Sequence, residues 1–183
     1  NGSLTVEQYN LTTAWDTSSL VYDNNFTVSN ENQLRSLAFK YDGTKMYVTG
    51  NETEVIQQFT LSVPWDVTSA TKDSTESPSL SAKEDNVRSI QFNSDGTIFY
   101  IGGNGSDSIH KYTLSTPWDV STLEFSQSYS FSAQVSSSGN SIMAGFIFTA
   151  NFTKLYITQD TDSRQSQTGV NTVYEYSVAC AET

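Results

Sequence analysis

The chain has one cysteine, one histidine, three prolines and two methionines among its 183 residues. Each scarcity closes a route. A lone thiol, Cys180, cannot form an internal disulfide, which leaves an idle or buried thiol and an intermolecular bridge as its two readings. With a single histidine, His110, and no cysteine cluster, the usual donor sets for zinc and copper are missing. Bases are scarce too: nine Lys and Arg against 20 Asp and Glu leave a net charge of -11. Such a balance repels phosphate backbones and anionic headgroups, so nucleic acid is not an expected partner. No apolar run approaches the roughly 20 residues that cross a bilayer, so membrane insertion is not expected either. The opening NGSLTVEQYN has neither an initiator Met nor the basic and apolar segments of a signal peptide, and reads as a processed or trimmed start.

What fills the chain instead is Ser, Thr, Asn and Tyr. Charged residues make up 16% against a usual figure of about 25%, the surface of a secreted β-protein more often than of a cytosolic helical one. The length allows one domain with a real core, residues 1–183, and is short for two.

Within that domain the sequence repeats itself. LTTAWDT at 11–17, LSVPWDV at 61–67 and LSTPWDV at 114–120 hold all three tryptophans. The match runs upstream: Val6-Glu7-Gln8-Tyr9 falls on Ile56-Gln57-Gln58-Phe59 and on Ile109-His110-Lys111-Tyr112, with a fourth copy at Val173-Tyr174-Glu175-Tyr176 that has no tryptophan. Apolar residues alternate in every copy, the period of a strand with one buried face. A second motif precedes the first: LRSLAFKYDGTKMYVTG at 34–50, VRSIQFNSDGTIFYIGG at 87–103 and MAGFIFTANFTKLYITQ at 143–159. Asp42-Gly43 and Asp95-Gly96 between alternating runs predict tight hairpins, because Gly accepts the positive φ of the turn. With one further strand after each Trp motif, the unit is about four strands in about 50–56 residues, the period of propeller blades. The expected fold is all-β: β-propeller-like, four-stranded antiparallel blades, three and a bit in number, with a partial blade at 1–29, whole blades at 34–83 and 87–132, and a partial blade at 141–179.

DGTKMYVTGNETEVIQQFTL, with Tyr47-Val48-Thr49-Gly50 at its centre, resembles the YVTN-type repeat of surface-layer and lactonase-like β-propellers, and PWDVST resembles an extension found in propeller repeats of secreted bacterial and virion proteins. The resemblance implies a propeller. Lactonase activity is not carried over with it, because no residue set here matches a catalytic one.

The recurrent residues have a structural reading. Pro64 and Pro117 end the third strand of their units; Trp15, Trp65 and Trp118 are expected to seal adjoining sheets, and Asp16, Asp66 and Asp119 to cap the following turn. Sugar stacking is the competing reading of the tryptophans, with Trp15 the most exposed. His110 aligns with Gln57 and Glu7 and reads as a solvated strand residue. Arg35 and Arg88 are equivalent, with Ala144 in the third copy; on a strand near the axis they are open to lining an anion-binding surface or to serving structural bonds with neighbouring loops. Asp160 and Asp162, in the loop TQDTDSRQSQTGVN, offer a Ca²⁺ two oxygens where six to eight are wanted; no other cofactor is expected. Sequons at Asn10, Asn25, Asn51, Asn104 and Asn151 are candidate glycosylation sites, Asn51 and Asn104 at equivalent turns.

Two unfinished sheets present unpaired strand edges, which predicts a homo-oligomer or filament formed by strand completion. The expectation that follows is a non-catalytic extracellular structural protein, a subunit of a surface layer, appendage, filament or virion, located on a cell or virion surface. The alternatives are a glycan- or protein-binding adhesion module and a carboxylate-based hydrolase.

Overall fold

The computed structural model describes residues 4–51, 53–131, 141–161 and 172–178. Thirteen strands form four antiparallel sheets, and the only helical elements among the described residues are 3₁₀ turns of three residues. The first sheet pairs β1 (Thr5–Leu11) with β2 (Leu20–Thr27). The second runs in order through β3 (Leu34–Phe39), β4 (Lys45–Gly50), β5 (Ile56–Leu61) and β6 (Ala70–Glu76). The third repeats it with β7 (Val87–Phe92), β8 (Ile98–Gly103), β9 (Ser108–Leu114) and β10 (Leu123–Ser130). The fourth has three strands, β11 (Ser141–Phe148), β12 (Lys154–Thr161) and β13 (Thr172–Ser177). No helix among the described residues is long and apolar enough to cross a membrane.

The hairpins form where Asp-Gly predicts them. Gly43 and Gly96 have φ of +72° and +74°, and Asp42 and Asp95 accept the N–H of Thr44 and Thr97 at 3.0 and 2.9 Å. The glycines have a second task. A Cβ on Gly43 would lie 2.4 Å from the Trp65 ring and one on Gly96 2.3 Å from Trp118, so each indole lies flat on its own hairpin. The Trp65 and Trp118 N–H groups donate to the carbonyls of Gly43 and Gly96, both at 3.0 Å. Below the glycine, Trp65 meets Phe39 at 5.4 Å and Trp118 meets Phe92 at 5.0 Å. All three tryptophans stand at positive φ, between 66° and 67°, a conformation costly for a bulky residue. Trp15 is 97% exposed and holds the same φ, so the Asp-capped turn itself sets the backbone there. The indoles of Trp65 and Trp118 lie on their own hairpins, and the Trp118 ring meets the neighbouring sheet at the edge of Tyr41.

The joint is sealed by the residue two places on. Asp16, Asp66 and Asp119 cap the 3₁₀ turns by accepting from Ser18, Thr68 and Ser121. In the second and third sheets the turn presents Val67 and Val120, buried to 3% and 0%, to the sheet before. The Val67 N–H donates to Gln8 Oε1 at 2.9 Å, the Val120 N–H to Gln58 Oε1 at 3.1 Å, and the Tyr47 hydroxyl to the Trp118 carbonyl at 2.7 Å. Each buried aliphatic side chain contributes about 1.5–3 kcal/mol. Between the third and fourth sheets the first strands are tied directly, Ser89 donating to the Phe146 carbonyl and Gln91 accepting from the Phe148 N–H. The first strands β3, β7 and β11 lie side by side, on the inside of a fan of sheets.

Gly96→Ala both loses the favoured positive φ and pushes a methyl into the Trp118 ring. Urea unfolding of that variant is expected to show a loss of about 1–3 kcal/mol, whereas the same change at Gly145, where a Cβ meets nothing nearer than 3.6 Å, leaves the midpoint close to wild type.

Candidate functional site

Three β-bulges mark the inner rim. Pairing of β3 with β4 slips between Leu34 and Ser36, of β7 with β8 between Val87 and Ser89, and of β11 with β12 between Met143 and Gly145. The unpaired residues are Arg35, Arg88 and Ala144. A bulge frees a side chain from the strand's alternation and re-aims it. Both arginines are half-buried, and the Nε of each is buried without an acceptor among the described residues. Burial lowers the Arg35 pKa, and the Arg88 charge lowers it further, so the two guanidinium groups feel one another. In a chain of net charge -11 they form a local exception, a place where an anion is attracted.

Acids stand around them in register. Glu31 and Glu84 each lie four residues before their arginine. Glu84, 1% exposed, accepts from the N–H groups of Asn86, Gly105 and Ser106 at 2.8–3.2 Å and from the Ser106 hydroxyl at 2.8 Å. Glu31 takes the equivalent contacts from Thr53 and from Gln57 Nε2, the latter at 3.2 Å. These carboxylates clamp the loop after the second strand onto the segment leading to the first. The same loops carry Glu54 and Asp107 at positive φ, 53° and 47°. Their carbonyls accept from Leu80 and Phe131, both at 2.9 Å. Asp107 Oδ1 is buried with no partner among the described residues, and burial followed by the nearby Glu84 charge raises its pKa. A carboxyl with raised pKa is suited to accepting a proton.

His110 departs from its reading as a solvated residue. It is 3% exposed, with Nε2 bonded to Ser106 at 2.9 Å and Nδ1 to Ser128 at 2.7 Å. The aligned Gln57 is also buried, while Glu7 in the first sheet is exposed, so the buried polar clamp is a feature of the second and third sheets. Other candidates are spread out. Asn10, Asn25, Asn51 and Asn151 are exposed, while Asn104 is half-buried. Asp162, Cys180 and the side chain of Asp160 lie outside the described residues; among the described residues no group of three or more His, Cys, Asp or Glu could hold a metal.

No protein-family model matches the chain, and neither does any curated protein. Solved structures do match. A candidate 6-phosphogluconolactonase of Bacteroides uniformis superposes with a TM-score of 0.59 at 14% identity, over 96% of this chain and 48% of that one. The periplasmic gluconolactonase of Pseudomonas aeruginosa gives 0.55 at 13%, over 80% and 37%. A candidate 6-phosphogluconolactonase of Bacteroides fragilis gives 0.56 at 15%, over 95% and 49%. The fold is all-β and β-propeller-like, four antiparallel sheets in sequence. Identities this low show shared architecture alone, and the chain spans about half the length or less of these structures.

These likenesses overturn the expectation of a non-catalytic structural subunit of a surface layer, appendage, filament or virion, and with it the expectation that the chain is not an enzyme. They lend no support to the adhesion reading. The reason is physical: a site at the inner rim takes one or two residues from each sheet, some 50 residues apart, so the lack of a compact catalytic motif carried little weight.

The clamp predicts a pH dependence. Burial holds His110 below its ordinary pKa, with Glu84 opposing the shift and Lys83 adding to it. It is therefore neutral in the fold and takes up a proton more readily when unfolded, so stability falls as pH drops below about 6.5. His110→Gln, which copies Gln57, is expected to flatten that part of the curve of urea midpoint against pH; an unchanged slope would assign it to other groups.

Proposed function

We propose that the chain is part of a hydrolase that opens the ring of an anionic sugar-acid lactone, using carboxylates at the inner rim. The observation that carries this reading is the Arg35–Arg88 pair, raised on equivalent bulges with buried Nε atoms that have no acceptor among the described residues. The names of the similar structures, gluconolactonase and 6-phosphogluconolactonase, supply the substrate class, and the arginines supply the preference for an acidic or phosphorylated sugar.

In this reading a guanidinium binds the carboxylate or phosphate, and the other faces the lactone carbonyl, where negative charge develops. Asp107, with its raised pKa, accepts a proton from the attacking water; Glu54 stands at the equivalent place one sheet earlier. Water oxygen bonds to the carbonyl carbon, the ring C–O bond breaks, and the departing alkoxide takes up a proton to give the open hydroxy acid. The clamps of Glu31 and Glu84 keep these loops in position. A location outside the cytoplasm fits the low charge density and the periplasmic gluconolactonase of the same architecture.

Ring opening of glucono-δ-lactone and of its 6-phosphate, followed by base uptake at constant pH, tests the reading. Hydrolysis above the spontaneous rate is expected, faster for the phosphorylated lactone. Arg88→Gln is expected to raise KM for that substrate about 10- to 100-fold, the loss of one charge-assisted hydrogen bond. No acceleration of either lactone would remove the proposal.

A further inference from the structure

The third sheet departs from the first and second at one cross-strand pair. Where the first sheet pairs Glu7 with Asn25 and the second Gln57 with Glu76, the third pairs His110 with Ser128. The clamp behind that position is shared. Thr53 and Ser106 stand at the same place in their loops, and their hydroxyls donate to Glu31 and Glu84. In the second sheet the Gln57 amide then donates to Glu31. An imidazole in that place can carry the chain of hydrogen bonds further, because its second nitrogen lies on the far side of the ring.

The order of donors assigns the protons. The Ser106 hydroxyl donates to Glu84 Oε2 at 2.8 Å, so Ser106 Oγ accepts from His110 Nε2–H at 2.9 Å. Nδ1 is then the unprotonated nitrogen, and the Ser128 hydroxyl donates to it at 2.7 Å. The four groups form one line from the surface inwards, Ser128 to His110 to Ser106 to Glu84. His110 and Glu84 are buried, whereas Ser128 lies on the exposed length of β10. A buried base is held by a buried carboxylate, through one hydroxyl, against an oxygen that solvent can reach. The bulge between Phe125 and Gln127 puts Phe125, 43% exposed, on the same face of β10 as Ser128. Lys83 Nζ lies 4.0 Å over the Phe125 ring, and its charge is felt at His110.

We propose that Ser128 is the nucleophile of a second site, separate from the arginine rim, which hydrolyses an uncharged carboxylic ester through an acyl-serine with His110 as its base. Ser106 and Glu84 are positioning residues: they hold the tautomer and stabilise the imidazolium when it forms. His110 Nδ1 takes the hydroxyl proton as Ser128 Oγ bonds to the carbonyl carbon; the ester C–O bond then breaks, and the alcohol leaves with that proton. Water repeats the sequence on the acyl-serine, which releases the carboxylic acid and restores the Ser128 hydroxyl. Phe125 offers the acyl chain an apolar face, and Lys83 offers positive charge to the carbonyl oxygen as it becomes anionic. The net charge of -11 disfavours an anionic ester on this exposed strand.

A fluorophosphonate probe, which forms an O–P bond with an activated serine and expels fluoride, tests the site on the whole chain, with peptide mass spectrometry to locate the adduct. Labelling of Ser128 is expected to be about 100-fold faster than that of any other serine, and p-nitrophenyl butyrate is expected to release a burst of nitrophenol. Ser128→Ala abolishes both. His110→Gln, which copies the second sheet, lowers the labelling rate about 100-fold. Ser106→Ala lowers it too, and Ser106→Thr, which copies Thr53, restores it. Across pH the rate rises as His110 loses its proton, with a midpoint below the ordinary histidine value, since burial and the Lys83 charge outweigh the Glu84 charge and the hydrogen bond to the Lys83 backbone. Labelling of Ser128 no faster than that of other serines, or labelling unchanged in His110→Gln, overturns the proposal. Lactone ring opening on the same samples is expected to be unaltered by Ser128→Ala, so the two sites are tested apart.

Discussion

A four-stranded sheet with strands of six to eight residues has two faces and cannot bury either alone. Every other feature of this chain follows from how one sheet is made to lie on the next. The solution is a short turn between third and fourth strands whose backbone N–H is held by a glutamine of the preceding sheet and whose valine fills that sheet's apolar face. Tryptophan and aspartate fix the shape of the turn; valine and glutamine fix the neighbour. The tryptophans share a positive φ whether or not the indole is packed, so the Asp-capped turn sets that backbone, and in the second and third sheets the indole then lies on the hairpin glycine and against a phenylalanine.

That division of labour explains why the inner rim is available for chemistry. At the ends of the first strands the residues flanking the bulges, Val87 and Met143, are held in the clusters between sheets, which fixes the backbone from which the bulged residues project. There the bulges turn Arg35 and Arg88 out of the ladder, and the buried Glu84 accepts from loop N–H and hydroxyl groups. Among the described residues the Nε of each arginine has no acceptor. A buried donor without an acceptor costs about 1–3 kcal/mol, a cost that a bound anion would remove.

Much of this was legible in the sequence because it is local. Alternation gave the strands, Asp-Gly the hairpins, and the repeated Trp-Asp the turn, since each signal sits within a few residues of its consequence. What the sequence did not disclose is nonlocal. Gln8 and Val67 meet across 59 residues, and nothing in either neighbourhood announces it. The bulges were hidden because a slip of one residue has no compositional mark; the only trace was that Arg35 and Arg88 recur at the same offset. A second trace was overlooked: ENQLR and EDNVR place a glutamate four residues before each arginine, and that shared spacing, in a chain where acids are common, was the available pointer to the clamp. The burial of His110 is equally nonlocal: its alignment with Gln57 and Glu7 pairs one buried and one exposed residue, and which applies depends on the neighbouring loop, not on the strand pattern.

Phe152 shows how far a repeat can bend before its physics changes. The asparagine-phenylalanine tip lacks the glycine that a left-handed residue favours, and the fourth copy of the strand motif lacks a tryptophan. Taken singly these are losses. Together they are one exchange, because a ring at the hairpin tip and a ring on the turn compete for the same space over Phe148. Phenylalanine at positive φ costs about 1–3 kcal/mol, offset by an aromatic stack that no longer depends on a turn arriving from elsewhere. The fourth sheet thereby completes its own inner hairpin with a ring from the hairpin itself.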